Sequence, residues 1–181
     1  MADTRDIWIF DLQREAASRV TFEPSDDTGA VWSPDGRKIA YSSDRGARDI
    51  YIKNASGIGA EELVIESKIP KNVEAWSPDG LWMAFKRSNS QLPQRSGCAP
   101  LDTREPLDFR RTQLHEGAGR FSPDGKWLAY ESEGAGRTEV FVQPVPRLTR
   151  HGRFRATMAG SHNGAEMAEN CPTPRSRLGR G

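Results

Sequence analysis

One five-residue phrase recurs along this chain at an almost constant interval. Trp-Ser-Pro-Asp-Gly stands at residues 32–36 and 76–80, and Phe-Ser-Pro-Asp-Gly stands at 121–125. The leading aromatic residues of the three copies are therefore 44 and 45 residues apart. A period in this range is typical of repeat proteins, in which each unit packs against its neighbours and several units are needed for stability.

The phrase predicts a tight turn between two strands. Ser suits the first place of a type I β-turn because its hydroxyl can bond back to the backbone, and Pro fixes φ at the second. Asp tolerates the third place and Gly closes the turn. Each turn is followed by two large residues with an Ala between them, at Ile39–Ala40–Tyr41, Met83–Ala84–Phe85 and Leu128–Ala129–Tyr130. This period of two predicts strands whose small-residue face packs closely against a neighbouring sheet, with Trp32, Trp76 and Phe121 filling the space between sheets.

Further strand patterns lie between the turns. "DIYIKN" (49–54) and "EELVIES" (61–67) follow the first turn, and the first of these patterns returns at residues 5–12 and 138–145. Four short strands in a unit of about 40–45 residues indicate a propeller blade. The predicted fold is therefore all-β, a partial β-propeller of four-stranded blades with a non-repeat C-terminal tail.

The stretch "VWSPDGRKIAYSSDRGARDIYIKNASG" (31–57) resembles the WD40-like repeat of TolB-type β-propellers, also called PD40. The matching positions are 32–36, 39–41, 43–44 and 49–51, and the resemblance extends over residues 5–146. Two longer phrases, "KNASGIGAEELVIES" and "GRTEVFVQPVP", resemble the extracytoplasmic propeller of bacterial transmembrane serine/threonine kinases. The resemblance implies a periplasmic or extracytoplasmic location, although the chain as written carries no signal peptide. It assigns no catalytic residue, because the HRD, DFG and glycine-rich loop motifs of a kinase are missing.

Residues 1–146 are predicted to form about three blades of a propeller. They comprise half a blade (5–22), a full blade (30–66), a third blade (74–112) and the inner strands of a fourth (119–146). Closed propellers use about 4–8 blades, so we expect a fragment of a larger protein. The alternative is a tight ring in which the N-terminal strands complete the last blade.

The third blade departs from the repeat. Residues 88–111 contain no strand of the D-[IL]-[WYF]-[VIL] pattern, which puts the outer half of that blade in doubt. We therefore expect Gly36→Val, in a hairpin turn, to be more damaging than Gly97→Val, where the repeat is lost.

The last 35 residues, 147–181, carry seven Arg and two Glu and show no period of two. We expect this tail to be disordered or to be a frame-shifted reading of a further repeat. With permitted codons, a shifted frame over residues 162–173 can encode a Trp, an Asp-Gly turn and a strand, the layout of residues 32–41.

The sequence predicts no catalytic, cofactor-binding or metal-binding residues. The three histidines (His115, His151 and His162) are scattered, and Cys98 and Cys171 are expected to be free thiols. Asp44 and Asp49 lack the close run of oxygen ligands that calcium needs, and a plain loop is expected there. Glu61 and Glu62 are adjacent, point to opposite strand faces and are expected to be solvated.

These observations favour a non-catalytic repeat module that binds a protein or small-molecule ligand at the propeller mouth, without a cofactor. The net charge of +1 gives no overall attraction for nucleic acid, and no apolar run reaches the length of a membrane span, so neither nucleic-acid binding nor membrane contact is expected. Trp8, Tyr51 and Phe141 share one repeat position and are expected in the core; the alternative is that some line the mouth. The alternative function is the regulatory propeller of a kinase or a prolyl-oligopeptidase-like hydrolase, without its catalytic domain.

Overall fold

The computed structural model describes residues 4–66, 68–89, 92–108, 116–134 and 137–145. Within these ranges the chain forms β-strands and connecting loops, as the sequence predicts, and no helix long and apolar enough to cross a membrane occurs there. The C-terminal tail, including the stretch considered for a shifted frame, lies outside the described residues.

The strands form four antiparallel sheets in which neighbours along the chain pair with each other. Blade 1 consists of β1 (Trp8–Asp11) and β2 (Ala16–Arg19). Blade 2 consists of β3 (Asp27–Trp32), β4 (Lys38–Ser43), β5 (Asp49–Asn54) and β6 (Glu62–Ile65). Blade 3 consists of β7 (Lys71–Trp76), β8 (Trp82–Asn89), β9 (Leu92–Pro100) and β10 (Leu107–Asp108). Blade 4 consists of β11 (Glu116–Phe121), β12 (Trp127–Gly134) and β13 (Arg137–Pro144).

The repeated phrase forms the turn between the first two strands of blades 2, 3 and 4. In blade 2 the Ser33 hydroxyl donates to Asp35 Oδ1 at 2.6 Å and accepts the Lys38 N–H at 2.9 Å. The Gly36 N–H donates to the Ser33 carbonyl oxygen at 2.9 Å, and Gly36 has a φ of +68°, which glycine adopts without strain. The predicted roles of Ser, Asp and Gly in this turn are therefore confirmed.

Three apolar cores lie between successive blades. The core between blades 1 and 2 contains Ile7, Val20, Ile39 and Tyr41. The core between blades 2 and 3 contains Ala40, Ile50, Ile52, Val64, Ile65, Val73, Met83, Phe85 and Ala99. The core between blades 3 and 4 contains Ala84, Leu128 and Tyr130. Burying one large apolar side chain contributes about 1.5–3 kcal/mol to the free energy of folding. The apolar contacts between sheets therefore stabilise the packing of the blades.

The second strand of blade 2 (β4) and that of blade 3 (β8) each contribute residues to two of these cores, one on each face, as the period of two predicts. Tyr41 faces blade 1, whereas Ala40 on the opposite side of β4 faces blade 3. Phe85 and Ala84 divide in the same way between blades 2 and 4. The small Ala on one face lets the large residues of the next blade approach closely.

An apolar face lies open at each end of the described blades. At the C-terminal end Val140 is 70% exposed and Val142 is 58% exposed. Ala129 is partly exposed there, whereas Ala40 and Ala84 at the same repeat position are fully buried. At the N-terminal end Trp8 and Phe10 of β1 are more than half exposed. This placement corrects the expected core role of Trp8.

The aromatic residues of the repeated phrase differ in burial. Trp76 and Phe121 are partly buried and pack against the cores beside them, as expected. Trp32 is 51% exposed, so its expected role as a filler between sheets is wrong. Blade 1 presents only β1 and β2 in the described residues, and these correspond to the third and fourth strands of a blade.

Blade 3 is complete, which corrects the expectation for its outer half. β9 pairs with β8 from Trp82↔Pro100 to Arg87↔Arg95, and β10 adds the fourth strand. Gly97 replaces the aromatic residue of the repeat and lies against the ring of Phe85, which fills the space. Backbone pairing thus forms the strand without the usual side chains.

Candidate binding surface on the first strands

The first strands of blades 2, 3 and 4 lie side by side. β3 contacts β7, and β7 contacts β11. We call the surface formed by β3, β7 and β11 the inner wall. With a side chain from β8, it lines a cavity of about 490 Å³. The lining residues used below are Gly29, Ala30, Glu74, Lys86, Ala118 and Arg120.

Each strand of the inner wall contains a bulge. The register shifts between Thr28 and Val31 in β3, between Val73 and Ala75 in β7, and between Gly117 and Arg120 in β11. A bulge leaves residues unpaired with their own sheet and bends the strand. Main-chain groups of the inner wall can therefore form hydrogen bonds with side chains of a neighbouring blade.

The carboxylate of Glu74 binds the bulge of the next blade. Glu74 Oε1 accepts the Ala118 N–H at 2.8 Å, and Oε2 accepts the Gly119 N–H at 2.9 Å. Arg120 Nη1 donates to the main-chain oxygen of Glu74 at 3.0 Å. Burial raises the pKa of the Glu74 carboxyl, while the two N–H groups act in the opposite direction. Two successive N–H groups of one blade thus hold a carboxylate of the preceding blade.

A similar contact joins blades 2 and 3. The Ser42 hydroxyl oxygen on β4 accepts the Val73 N–H of β7 at 2.8 Å. Val73 holds the repeat position of Ala118, so the main-chain N–H at this position bonds to a side chain of the preceding blade in both cases. The inner wall is therefore fixed by polar contacts between blades as well as by the apolar cores.

The cavity combines opposite charges. Lys86 and Arg120 lie close enough to Glu74 for their charges to lower its pKa, against the larger effect of burial. The charged and main-chain groups can bind a polar ligand. Within the described residues no group of three or more His, Cys, Asp or Glu could hold a metal ion.

Buried charged residues occur at one repeat position that the sequence interpretation missed. Asp27, Lys71 and Glu116 begin the first strands of their blades and are almost fully buried. Lys71 Nζ lies 3.8 Å from Asp49 Oδ1, and burial lowers the pKa of Lys71 while Asp49 opposes that shift. Each of the three stands five residues before the aromatic residue of its turn, a recurrence that could have revealed them.

A network of ion pairs surrounds Asp26, the residue directly before β3. Arg5 and Arg48 both bind Asp26, at 2.7 and 2.8 Å, and hold the pKa of its carboxyl well below the usual range. Asp44 Oδ1 accepts the Asp26 N–H at 2.7 Å, and Arg48 also donates to Thr28 Oγ1 at 3.0 Å. Asp44 thus has a structural role in its loop.

The aromatic residues considered for the mouth do not line the cavity. Tyr51 stacks with Tyr41 at a centroid distance of 6.1 Å, and Phe141 stacks with Tyr130 at 5.9 Å. Both pairs belong to the packing between blades, which confirms the expected core role of Tyr51 and Phe141.

The solvated role expected for Glu61 is wrong. Its side chain is 11% exposed, binds Lys53 Nζ at 3.1 Å and forms an ion pair with Arg45. Its neighbour Glu62 is exposed and pairs with Arg104. The Glu61 side chain can be largely buried because Lys53 and Arg45 compensate its charge.

Cys98 is a free thiol, as predicted, and is fully buried. Burial raises the pKa of this thiol, which disfavours the reactive thiolate. Cys171 and the three histidines lie outside the described residues.

No family model matches the chain, but individual relatives do. It is 27% identical over 169 residues to the uncharacterized peptidase YuxL of Bacillus subtilis, covering 71% of this chain and 25% of the relative. It is 45% identical over 60 residues to the Tol-Pal system protein TolB of Alcanivorax borkumensis, covering 32% and 14%. It is 30% identical over 104 residues to the tricorn protease homolog 1 of Streptomyces coelicolor, covering 57% and 9%. The chain thus spans a quarter or less of the relatives it matches.

Solved structures show the same fold. A putative TolB from Agrobacterium tumefaciens superposes with a TM-score of 0.63 at 21% identity, covering 72% of this chain and 47% of that one. TolB from Acinetobacter baumannii superposes with a TM-score of 0.62 at 23% identity, covering 81% and 36%. The described residues therefore form part of a TolB-like β-propeller.

Proposed function

We propose that this chain is a non-catalytic propeller module that binds a protein or small-molecule ligand at the inner wall, as part of a larger extracytoplasmic sensor protein. The observation that carries the proposal is the cavity of about 490 Å³ that blades 2, 3 and 4 line together. Ligand sites are concave and use a few well-placed polar groups. Here Glu74, Lys86 and Arg120 supply such groups on strands that the interblade cores hold in place.

The location and the sensor role rest on resemblance. The similarity to TolB proteins supports an extracytoplasmic module, and the kinase part of the proposal rests on the resemblance of two sequence phrases alone. A fold alone does not select a ligand. The ligand must therefore be identified by its binding to the residues of the inner wall.

A second candidate function is the regulatory propeller of an enzyme. Similarity to YuxL and to the tricorn protease homolog favours this reading for a peptidase. The DNA beside the coding sequence discriminates the candidates. A downstream G-x-S-x-G domain supports a hydrolase, and an upstream kinase domain with a membrane span supports a kinase.

Affinity capture tests the inner wall as the binding surface. The full chain, Lys86→Glu and Lys126→Glu are immobilised and exposed to the same bacterial periplasmic extract. Lys126 is the control because its side chain is exposed, follows the third turn and does not line the cavity. We expect a ligand that the wild-type chain and Lys126→Glu retain and that Lys86→Glu loses. Equal retention by all three proteins, or retention by none, would contradict the proposal.

The non-catalytic nature of the module is tested separately. The purified chain is assayed with peptide, ester and ATP substrates, and no turnover is expected. Turnover that disappears when one residue of the chain is changed would show that the chain is an enzyme.

A further inference from the structure

We propose that a hard metal cation binds between blades 1 and 2, coordinated by the carboxylates of Asp6 and Asp27. Neither residue lines the cavity of the inner wall, so the inference goes beyond the proposed function. It rests on two repeat positions that meet at each interface between blades and that carry charged residues.

The second interface, between blades 2 and 3, holds opposite charges at these positions. The N–H of Lys71, the first residue of β7, donates to the Arg48 carbonyl oxygen at 2.8 Å. The ammonium group of Lys71 lies 3.8 Å from the carboxylate of Asp49, the residue after Arg48. A cation of one blade thus compensates a carboxylate of the preceding blade. At the third interface the same repeat positions hold Arg95 and Glu116, which again carry opposite charges.

The first interface, between blades 1 and 2, holds two carboxylates instead. The N–H of Asp27, the first residue of β3, donates to the Arg5 carbonyl oxygen at 2.8 Å, the same main-chain bond as at the second interface. The residue after Arg5 is Asp6, so the two aspartates occupy the positions of Lys71 and Asp49. Like charges are costly to bury without compensation, so this interface requires a further positive charge.

Each of the two aspartates has an oxygen that can bind a cation. Asp27 is 1% exposed, and its Oδ1 accepts a hydrogen bond from the Ser25 hydroxyl at 2.9 Å. Asp6 Oδ2 binds Arg19 at 2.8 Å. The other oxygen of each carboxylate is buried and has no hydrogen-bond partner among the described residues. The Asp6 side chain is 16% exposed, which gives the site a route to solvent.

The surroundings of the site are formed by residues of blades 1 and 2 that the structure describes. At the second interface, the charges of Arg87 and Glu66 also act on Lys71. The same repeat positions at the first interface hold Ser43 and Thr21, which are uncharged and fully buried. The positions around Lys71 are therefore all represented at the first interface, where they supply hydroxyl oxygens instead of charges.

The chemistry of the site favours a hard metal cation. Carboxylate and hydroxyl oxygens are the ligands that such cations prefer. Asp6, Asp27 and Arg19 together carry one negative charge, so a monovalent ion such as Na⁺ balances the charge of the site.

Thermal unfolding of the full chain at pH 7 tests the site. The chain is freed of metal with a chelator, and NaCl, KCl, MgCl₂ or CaCl₂ then replaces tetramethylammonium chloride at constant ionic strength. An ion that binds only the folded state stabilises it, so we expect at least one metal salt, and NaCl above all, to raise the unfolding midpoint by about 2–4 °C or more. The salt with the largest effect identifies the ion.

Three variants connect the effect to the aspartates. Asp27→Asn should lose the rise in midpoint. Asp27→Lys provides the opposite charges of the second interface, so it should be more stable than Asp27→Asn in tetramethylammonium chloride and should not respond to metal. Asp102→Asn, at an exposed aspartate of blade 3, is the control and should keep the full rise.

The proposal is overturned if none of the four metal salts raises the midpoint of the wild-type chain, whatever the effect of acid. A full rise that persists in folded Asp27→Asn overturns it as well. Neither result depends on the inner wall, so the site and the proposed function can fail separately.

Discussion

At the scale of single residues, hydroxyl–carboxylate contacts fix the repeated turns. The Ser33 hydroxyl and then the Arg37 N–H lower the pKa of Asp35, and Ser122 and Lys126 do the same for Asp124. The hydroxyl also accepts the N–H that closes each hairpin, at 2.9 Å in blade 2 and 3.0 Å in blade 4. The ionised Asp is therefore the form that orders the turn.

These lowered pKa values predict that the folded chain loses stability in acid. A carboxyl whose pKa is lower in the folded state contributes stability above its unfolded value, which is 3.8 here, and loses it as the pH falls through the folded value. The variant Asp35→Asn/Asp124→Asn should thus lose less stability than the wild-type chain when the pH falls below about 4. Urea midpoints at a series of pH values measure this, with Glu23→Gln as a control. Parallel curves for the wild-type chain and the double variant would contradict the assigned role of the turn.

Two glycines are required for different reasons. Gly36 has a left-handed backbone in open space, so Gly36→Ala costs about 1 kcal/mol of backbone strain. A Cβ at Gly97 would lie 2.8 Å from the Leu107 carbonyl oxygen and 3.2 Å from the ring of Phe85. Gly97→Ala should therefore cost as much or more, about 1–3 kcal/mol, because β10 or the ring must move. The sequence, in contrast, predicts that Gly36 is the more sensitive of the two positions, for substitution by Val.

Thermal unfolding of the two variants, with Gly80→Ala as a second turn variant, tests this order. Gly80 also has a positive φ and nothing within 4 Å of its Cβ position, so it should behave like Gly36. A Gly97→Ala protein as stable as the wild-type chain would contradict the close packing of β9.

At the scale of strands, Glu74 connects β7 to the bulge of β11. Glu74→Ala leaves two N–H groups of the inner wall without their acceptor and should cost about 1–3 kcal/mol. Glu74→Gln keeps one acceptor oxygen and should cost less. Chemical denaturation at pH 7 gives both values, and equal stability of the two variants would contradict this connection.

The same scale shows what the sequence can and cannot predict. The turn phrase and the alternation around Ala40, Ala84 and Ala129 predict the hairpins and the face of each second strand. The sequence does not predict β9, because Gly97 stands where the repeat has an aromatic residue and the strand depends on pairing with β8. Glu74 escapes because its partners come from a bulge 44 residues later, a contact that no local pattern encodes.

At the scale of the whole molecule, the described blades pack in series and expose apolar residues on the first and last of them. Val140 and Val142 hold the repeat positions of Ile50 and Ile52, which face the following blade and are buried. The equivalent valines of blade 4 are exposed among the described residues. Since interblade cores stabilise each repeat, the exposed faces are predicted to bind further blades or other copies of the chain.

The molar mass of the full chain in solution tests this openness directly. We predict by light scattering a mass above that of the 20.1 kDa monomer, falling toward the monomer in Val140→Glu/Val142→Glu. Ile58→Glu, at an exposed residue of the loop between β5 and β6, is the control and should leave the association unchanged. A wild-type chain that is a sharp 20.1 kDa monomer and melts cooperatively would contradict the account, because its blades would then form a closed or capped unit.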